Sequence, residues 1–240
     1  MRGALFATLI LAAWPSLAAA KSPVLVELYT AQGCGSCGEA NAGLVKLADR
    51  ADVLALTFSV DYWDYLGWPD TFAKPEFADR QKAYVTKLGL REPYTPQIII
   101  DGHAQVGGRQ TQKIEALIDK ATLTPHRAPD VAFVGARRVD VGRGQAPAAG
   151  ADVWLVRYDP REQDIAVKTG DNRGQTVDHI NVVREIRKLG AWRGRPTAFR
   201  LPASTEDGLA TAVLVQTPKG GRILAVGRMP LAPRSLPAAQ

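Results

Sequence analysis

"VLVELYTAQGCGSCGEANAGLVKLAD", residues 24–49, decides how this chain is to be read, because it places the only two cysteines between an apolar run and a helical pattern. The run from Pro23 to Tyr29 is short and rich in strand formers, and "CGEANAGLVKLAD" follows with helical spacing. Cys37 is in phase with Ala40, Leu44, Leu47 and Ala48, so it should face the core. Cys34 stands before or within the first helical turn, where unpaired backbone N–H groups favour an anion and lower a thiolate's pKa. The spacing therefore predicts an exposed nucleophile, Cys34, and a buried resolving thiol, Cys37, the asymmetry that thiol–disulfide exchange requires. Two other readings stay open here. Thiolates also suit soft metals. A disulfide can also be a structural staple, although one that encloses only Gly35 and Ser36 gains little from loop closure.

The first twenty residues set the compartment. "MRGALFATLILAAWPSLAAA" has Arg2, an apolar stretch interrupted by Pro15 and Ser16, and small residues at Ala18 and Ala20, as in a cleaved signal peptide. A membrane anchor needs about 20 apolar residues, and no later stretch is long or apolar enough to supply them. Residues 1–20 are therefore expected to be removed, leaving a periplasmic or secreted chain from Lys21 with no integral membrane segment. Such compartments let disulfides persist. The formal net charge of +6 comes from scattered Lys and Arg, which argues against a nucleic-acid surface.

Along the chain, strand and helix signals alternate up to residue 123. "VLALTFSV" (53–60) reads as a buried strand, and "KPEFADRQKAYVTKLG" (74–89) as a helix between Pro75 and the stop signal Gly89. "QIIIDGHAQV" (97–106) reads as a hairpin with Asp101-Gly102 as a two-residue turn, and "TQKIEALIDKA" (111–121) as a closing helix. The predicted order is β-α-β-α-β-β-α over residues 21–123, with 124–130 as a proline-bearing linker. From 131 to 240, short strand-like runs separated by Gly, Pro, Asp and Asn suggest an antiparallel sheet or sandwich. "VDHINVVREIRKLGAW" (177–192) fits strand and helix about equally. The expected fold class is α/β followed by a β-rich, sandwich-like domain.

Several residues outside the cysteine pair carry candidate chemistry. Glu27 is either a solvent-facing strand residue or a half-buried acid that moves protons to and from the resolving thiol. "DYWDYLGWPD" (61–70) carries Tyr62, Trp63, Tyr65 and Trp68, which either pack an insertion against the sheet or line a groove beside the thiols.

"VLVELYTAQGCGSC" followed by "YTPQIIIDG" and the closing helix resembles the thioredoxin fold, here with a helical insertion after the second strand. A closer resemblance is to an exported thioredoxin-like family classed as a domain of unknown function. It rests on "VELYTAQGCGSC", "VDYWDYLGWPDTFA", "RQKAYVTKLGL", "YTPQIIIDG" and "GDNRGQTVDHINVVREIRKLGAW", and so covers most of the mature chain. The chain departs from it in having Gly38-Glu39 after the second cysteine, where prolines are usual. The thioredoxin resemblance implies that Thr95-Pro96 is a cis-proline turn facing the redox pair and holding substrate, and that Glu27 takes the place of a buried acid.

These readings converge on an oxidoreductase that exchanges a Cys34–Cys37 disulfide with protein or small-thiol substrates, with a redox partner in the envelope. Cys34, Cys37, Glu27 and Pro96 are its candidate catalytic residues, and Thr95, Pro96, Trp63 and Trp68 its candidate substrate contacts. No organic cofactor is implied and no metal site is assigned. One alternative is a copper-binding protein using both cysteines and one of His103, His126 and His179. The other is a binding or assembly module whose disulfide is inert. A serine hydrolase has no support, since G-x-S-x-G is absent.

Overall fold

Strands β1 (Val24–Thr30) and β2 (Val53–Ser59) are buried along their whole length, as continuous apolar runs within a covered sheet should be. The computed structural model describes residues 22–123 and 128–230. The expected signal segment 1–20 and His126 lie outside the described residues. β1 and β2 pair in parallel, from Val24 opposite Val53 to Thr30 opposite Ser59. The crossover between them is helix α1 (Gly38–Ala48). Helix α2 (Pro75–Lys87) begins on the proline expected to start it, and Gly89, at φ 65°, ends it in the left-handed region. β3 (Gln97–Ile100) runs antiparallel to β1 and β4 (Ala104–Gly107) antiparallel to β3, before α3 (Thr111–Leu123).

The β3–β4 turn differs from its expected form. Asp101 and Gly102 are both left-handed, at φ 45° and 65°, but the residues that close the loop are Ile100 and Ala104, so His103 is included. The cause is what Asp101 must bind. Its carboxylate accepts the Leu25 N–H at 2.8 Å, and its carbonyl accepts the Ile223 N–H at 2.8 Å. These ties hold it between β1 and the far end of the chain.

The second half is β-rich as read, but its longer strands do not build a separate sheet. Its longer strands are β7 (Ala151–Asp159), β10 (Val182–Trp192), β12 (Ala210–Gln216) and β13 (Ile223–Arg228). Among the described residues, eight strands form one mixed sheet in the order β13-β12-β7-β10-β2-β1-β3-β4. The segment that fitted helix and strand equally becomes β10, because it pairs with β7 along its length and touches β2 at Val182–Thr57. A two-layer β arrangement exists at one end. There β5 (Val131–Phe133), β6 (Arg138–Val141) and β11 (Thr197–Arg200) form a small sheet. Its Val139, Val141 and Phe199 pack with Val153, Leu155, Val213 and Trp192. β8 (Gln163–Ala166) and β9 (Thr176–His179) make a separate two-stranded hairpin. Among the described residues no helix is long and apolar enough to cross a membrane.

One face of the large sheet carries Leu25, Tyr29 and Phe58 against Phe77 and Tyr84 of α2. The other carries Val26 and Leu28 against Leu44 of α1 and Ile114 and Ile118 of α3. Glu27 lies within β1 with no exposed surface, and Arg80 of α2 donates to its Oε1 at 2.7 Å. The Tyr84 hydroxyl donates to the other carboxylate oxygen at 2.5 Å and accepts from Arg80 and from Gln216 of β12. Burial pulls the Arg80 guanidinium down, but Glu27 beside it more than offsets this and raises its pKa. Burial, reinforced by Glu27, pushes the Tyr84 hydroxyl well up, so it remains a donor. This network joins β1, α2 and β12.

Removing one partner leaves an uncompensated buried charge, so Arg80→Met should lower the free energy of urea unfolding by roughly 3–5 kcal/mol. The double variant Glu27→Leu/Arg80→Met should recover most of that loss. A double variant no more stable than Arg80→Met would show that the buried charge is not the cause.

Candidate functional site

Cys34 and Cys37 are joined by a disulfide. A tight turn brings them together: the Cys34 N–H donates to the Ala31 carbonyl at 3.1 Å and the Cys37 N–H to the Cys34 carbonyl at 3.0 Å. Cys37 is the N-cap of α1, and its carbonyl accepts the Asn41 N–H at 3.0 Å. Cys37 is fully buried, in agreement with its helical phase. Cys34 is not the exposed thiol its place ahead of the helix predicts, being only 1 % exposed.

The covering comes from the second half of the chain. Asn172, in the β8–β9 loop, donates from its amide to the carbonyls of Gln32 at 2.8 Å and Cys34 at 2.9 Å. Asp171 packs on Gly35 so closely that a methyl group at Gly35 would lie 3.2 Å from its Cβ. Gln32 is held from the other side. Its N–H donates to Asp70 at 2.7 Å, and its side-chain carbonyl accepts from the Trp68 indole at 2.9 Å. Asp70 also accepts the N–H groups of Phe72 and Ala73. Burial raises its pKa nonetheless.

Thr95, Pro96 and Trp63 are linked to the segment that carries the cysteines. The Thr95–Pro96 peptide is cis. The Trp63 indole donates to the Thr95 hydroxyl at 2.7 Å, and Trp63 also flanks Gly33. Pro96 approaches α1 across Gly108, where a methyl group would lie 2.8 Å from both Ala40 and Pro96. Only glycine fits between them. Trp68 serves the loop through Gln32, while Tyr65 is 78 % exposed and stacks on Trp63. Glu27 does not meet the sulfurs by any hydrogen bond; its two oxygens are taken by Arg80 and Tyr84.

An open polar cleft of about 450 Å³ lies beside the disulfide turn, between Gly35, Ser36 and Glu39 on one side and Asn172 and Gln175 on the other. An Arg109–Glu39 ion pair of 2.8 Å stands at its rim. The Ser36 hydroxyl, exposed to solvent, lies 3.6 Å from the Cys34 sulfur. It is placed to donate to a thiolate there. Ser36, Asn172, Gln32 and Asp70 were not singled out from the sequence. Asn172 falls in a stretch that carries the family resemblance, and turn chemistry in "GDNRG" (170–174) marks a loop but not what the loop covers.

His179 lies over the first turn of α1. The Thr30 hydroxyl donates to the Asn41 carbonyl oxygen at 2.8 Å, and the Asn41 amide faces His179 Nε2 at 3.5 Å. His179 Nδ1 faces the Val177 carbonyl at 3.1 Å. A carbonyl only accepts, so Nδ1 carries the proton and Nε2 is the acceptor of a neutral ring. Burial holds its pKa down at about 4. His103 sits on the β3–β4 turn, against the Asp101 carbonyl. Among the described residues, no group of three or more His, Cys, Asp or Glu side chains is placed to hold a metal ion.

A family model described as a protein of unknown function, DUF1223, matches residues 25–216. The chain belongs to this family. A crystal structure of a protein from Agrobacterium tumefaciens is 34 % identical, with a TM-score of 0.72 over 86 % of this chain and 93 % of that one. No curated protein matches. Both cysteines, Thr95, Pro96, Asn172 and His179 all lie within the span matched by the family model.

The neutral state of His179 carries a pH dependence. Its folded pKa of about 4 lies below the ordinary value of 6.5, so between these values the unfolded chain binds the proton and the native chain does not. Stability should therefore fall as pH drops from 6.5 towards 4, by roughly 3 kcal/mol from this group. His179→Gln should flatten that part of the curve of unfolding free energy against pH. An unchanged slope would show that another group titrates there.

Proposed function

We propose that this protein is an exported thiol–disulfide oxidoreductase, thioredoxin-like over residues 21–123, that exchanges the Cys34–Cys37 disulfide with protein or small-thiol substrates. The observation that carries this reading is the placement of the disulfide. It lies at the N-terminus of α1, with the Thr95–Pro96 turn brought beside it by Trp63 and Gly108. A central β1 paired in parallel to β2 and antiparallel to β3, with α1 and α3 on one face and α2 on the other, supports the fold assignment. Export rests on the pattern of residues 1–20, and a periplasmic or secreted location follows from it.

In the exchange, a substrate thiolate attacks the Cys34 sulfur, and the bond to Cys37 breaks with its electron pair on Cys37. A second substrate thiol then releases Cys34, so that two electrons pass to the protein. Cys34 is assigned the attacked position because the exposed Ser36 hydroxyl lies against its sulfur. Thr95, Pro96 and Trp63 are assigned to substrate. Glu27 is assigned to the buried ion pair rather than to proton transfer, since both its oxygens are occupied. A second reading, a binding module with an inert disulfide, draws on one observation: both sulfurs are buried.

Cys37→Ser should trap a mixed disulfide through Cys34 with partners in extracts of the producing cell, visible as reductant-sensitive bands on a gel. Cys34→Ser should trap none. An absence of bands with Cys37→Ser would favour the inert-disulfide reading.

A further inference from the structure

We propose that Asn172 is a positioning residue that latches the β8–β9 hairpin over Cys34, and that release of this latch admits the attacking thiol. The inference deepens the exchange reading above and takes its physiological meaning from it.

Among the described residues 168–176, only Asn172 is buried, at 2 % exposure, while both cysteines beneath it are sealed from solvent. A single buried polar side chain in an otherwise solvated loop is expected to have definite partners. Here the partners are the carbonyls of Gln32 and Cys34, the second belonging to the attacked residue itself. The loop is otherwise self-contained. Val167 donates to Gln175, Gly174 to Val167, Gln175 to Asn172 and Arg173 to Gly170, all through the backbone. β8 and β9 pair only with each other among the described strands. The loop between β8 and β9 can therefore lift without breaking its own hydrogen bonds. Its other polar tie to the aromatic segment is the Thr169 hydroxyl donating to the Gly67 carbonyl at 2.6 Å, with Gly170 packed near Leu66 and Trp68. On its far side His179 faces the Asn41 amide of α1, which places the moving part at the loop and the fixed part at β9.

The test reads the disulfide with dithiothreitol and needs no biological partner. One dithiothreitol thiolate attacks the Cys34 sulfur and the disulfide bond breaks, leaving its electron pair on Cys37. The second dithiothreitol thiolate then closes its ring disulfide and expels the Cys34 thiolate. Two electrons and two protons pass to the protein. In the unsubstituted chain the reduction rate should level off as dithiothreitol rises, because opening becomes limiting. Asn172→Ala and Asn172→Asp, which both remove the donor, should raise the plateau by about tenfold or more, as the loss of two hydrogen bonds from the closed state implies. Thr169→Val should raise it less.

Faster reduction in the Asn172 variants than in a chain at least as destabilised away from the loop, Arg80→Met, supports the latch. Equal rates in all forms overturn it. So does acceleration that only tracks lost global stability, since the reagent then enters by unfolding. The two proposals fail separately. Unchanged dithiothreitol rates leave the trapping experiment untouched, and a failed trap leaves the rate ratio standing.

Discussion

The edge of β2 is the constraint on which the rest of the molecule depends. β2 is buried along its whole length, yet within the first half of the chain it has only β1 as a neighbour. An apolar edge strand left open would invite pairing with another chain. The second half closes it. Val182 pairs with Thr57, the Thr57 hydroxyl donates to the Ile180 carbonyl at 2.6 Å, and the Asn181 amide donates to the Ala55 carbonyl at 2.9 Å. The contact is short, but it sets where β10 begins and hence where the hairpin before it must lie.

From that one junction the covering of the disulfide follows. β9 ends two residues before β10, so anchoring β10 on β2 brings His179 against Asn41 on α1. The loop ahead of β9 is then carried over the Cys34 turn, where Asn172 finds two carbonyls that would otherwise need water. On the opposite face of the sheet, the Glu27–Arg80–Tyr84–Gln216 network ties β1 and α2 to β12. Asp101 makes a third tie, between β1 and β13. The halves share polar contacts on both sides of one sheet, and so the second half is part of the cysteine environment rather than an appendage to it.

Much of the first half was legible in the sequence. Continuous apolar runs marked β1 and β2, Pro75 and Gly89 bounded α2, and Asp101-Gly102 marked a turn whose left-handed residues are as expected. The length of that turn was not legible, because Ile223, remote in sequence, is one of its partners. Residues 177–192 resisted for a related reason. Their spacing suits either helix or strand, and pairing with β7 and β2 decides the matter. Of the candidate site, Thr95, Pro96 and Trp63 were singled out from motif and local chemistry. Asn172 and Asp70 were missed, because a polar residue in a loop says nothing of which distant carbonyl or N–H it will meet.

The sequence by itself determined the cysteine pair, the strand before it, the helix after it and the buried phase of Cys37. These are matters of spacing within a few residues, where helical and strand periods act directly. Only the tertiary structure decided that Cys34 is buried, that Glu27 belongs to an ion pair, and that one sheet runs through both halves. Each depends on groups that lie more than 50 residues apart, such as Glu27 and Arg80 or Cys34 and Asn172. Their meeting depends on how the whole chain packs and which polar groups it must satisfy, and no local period records that.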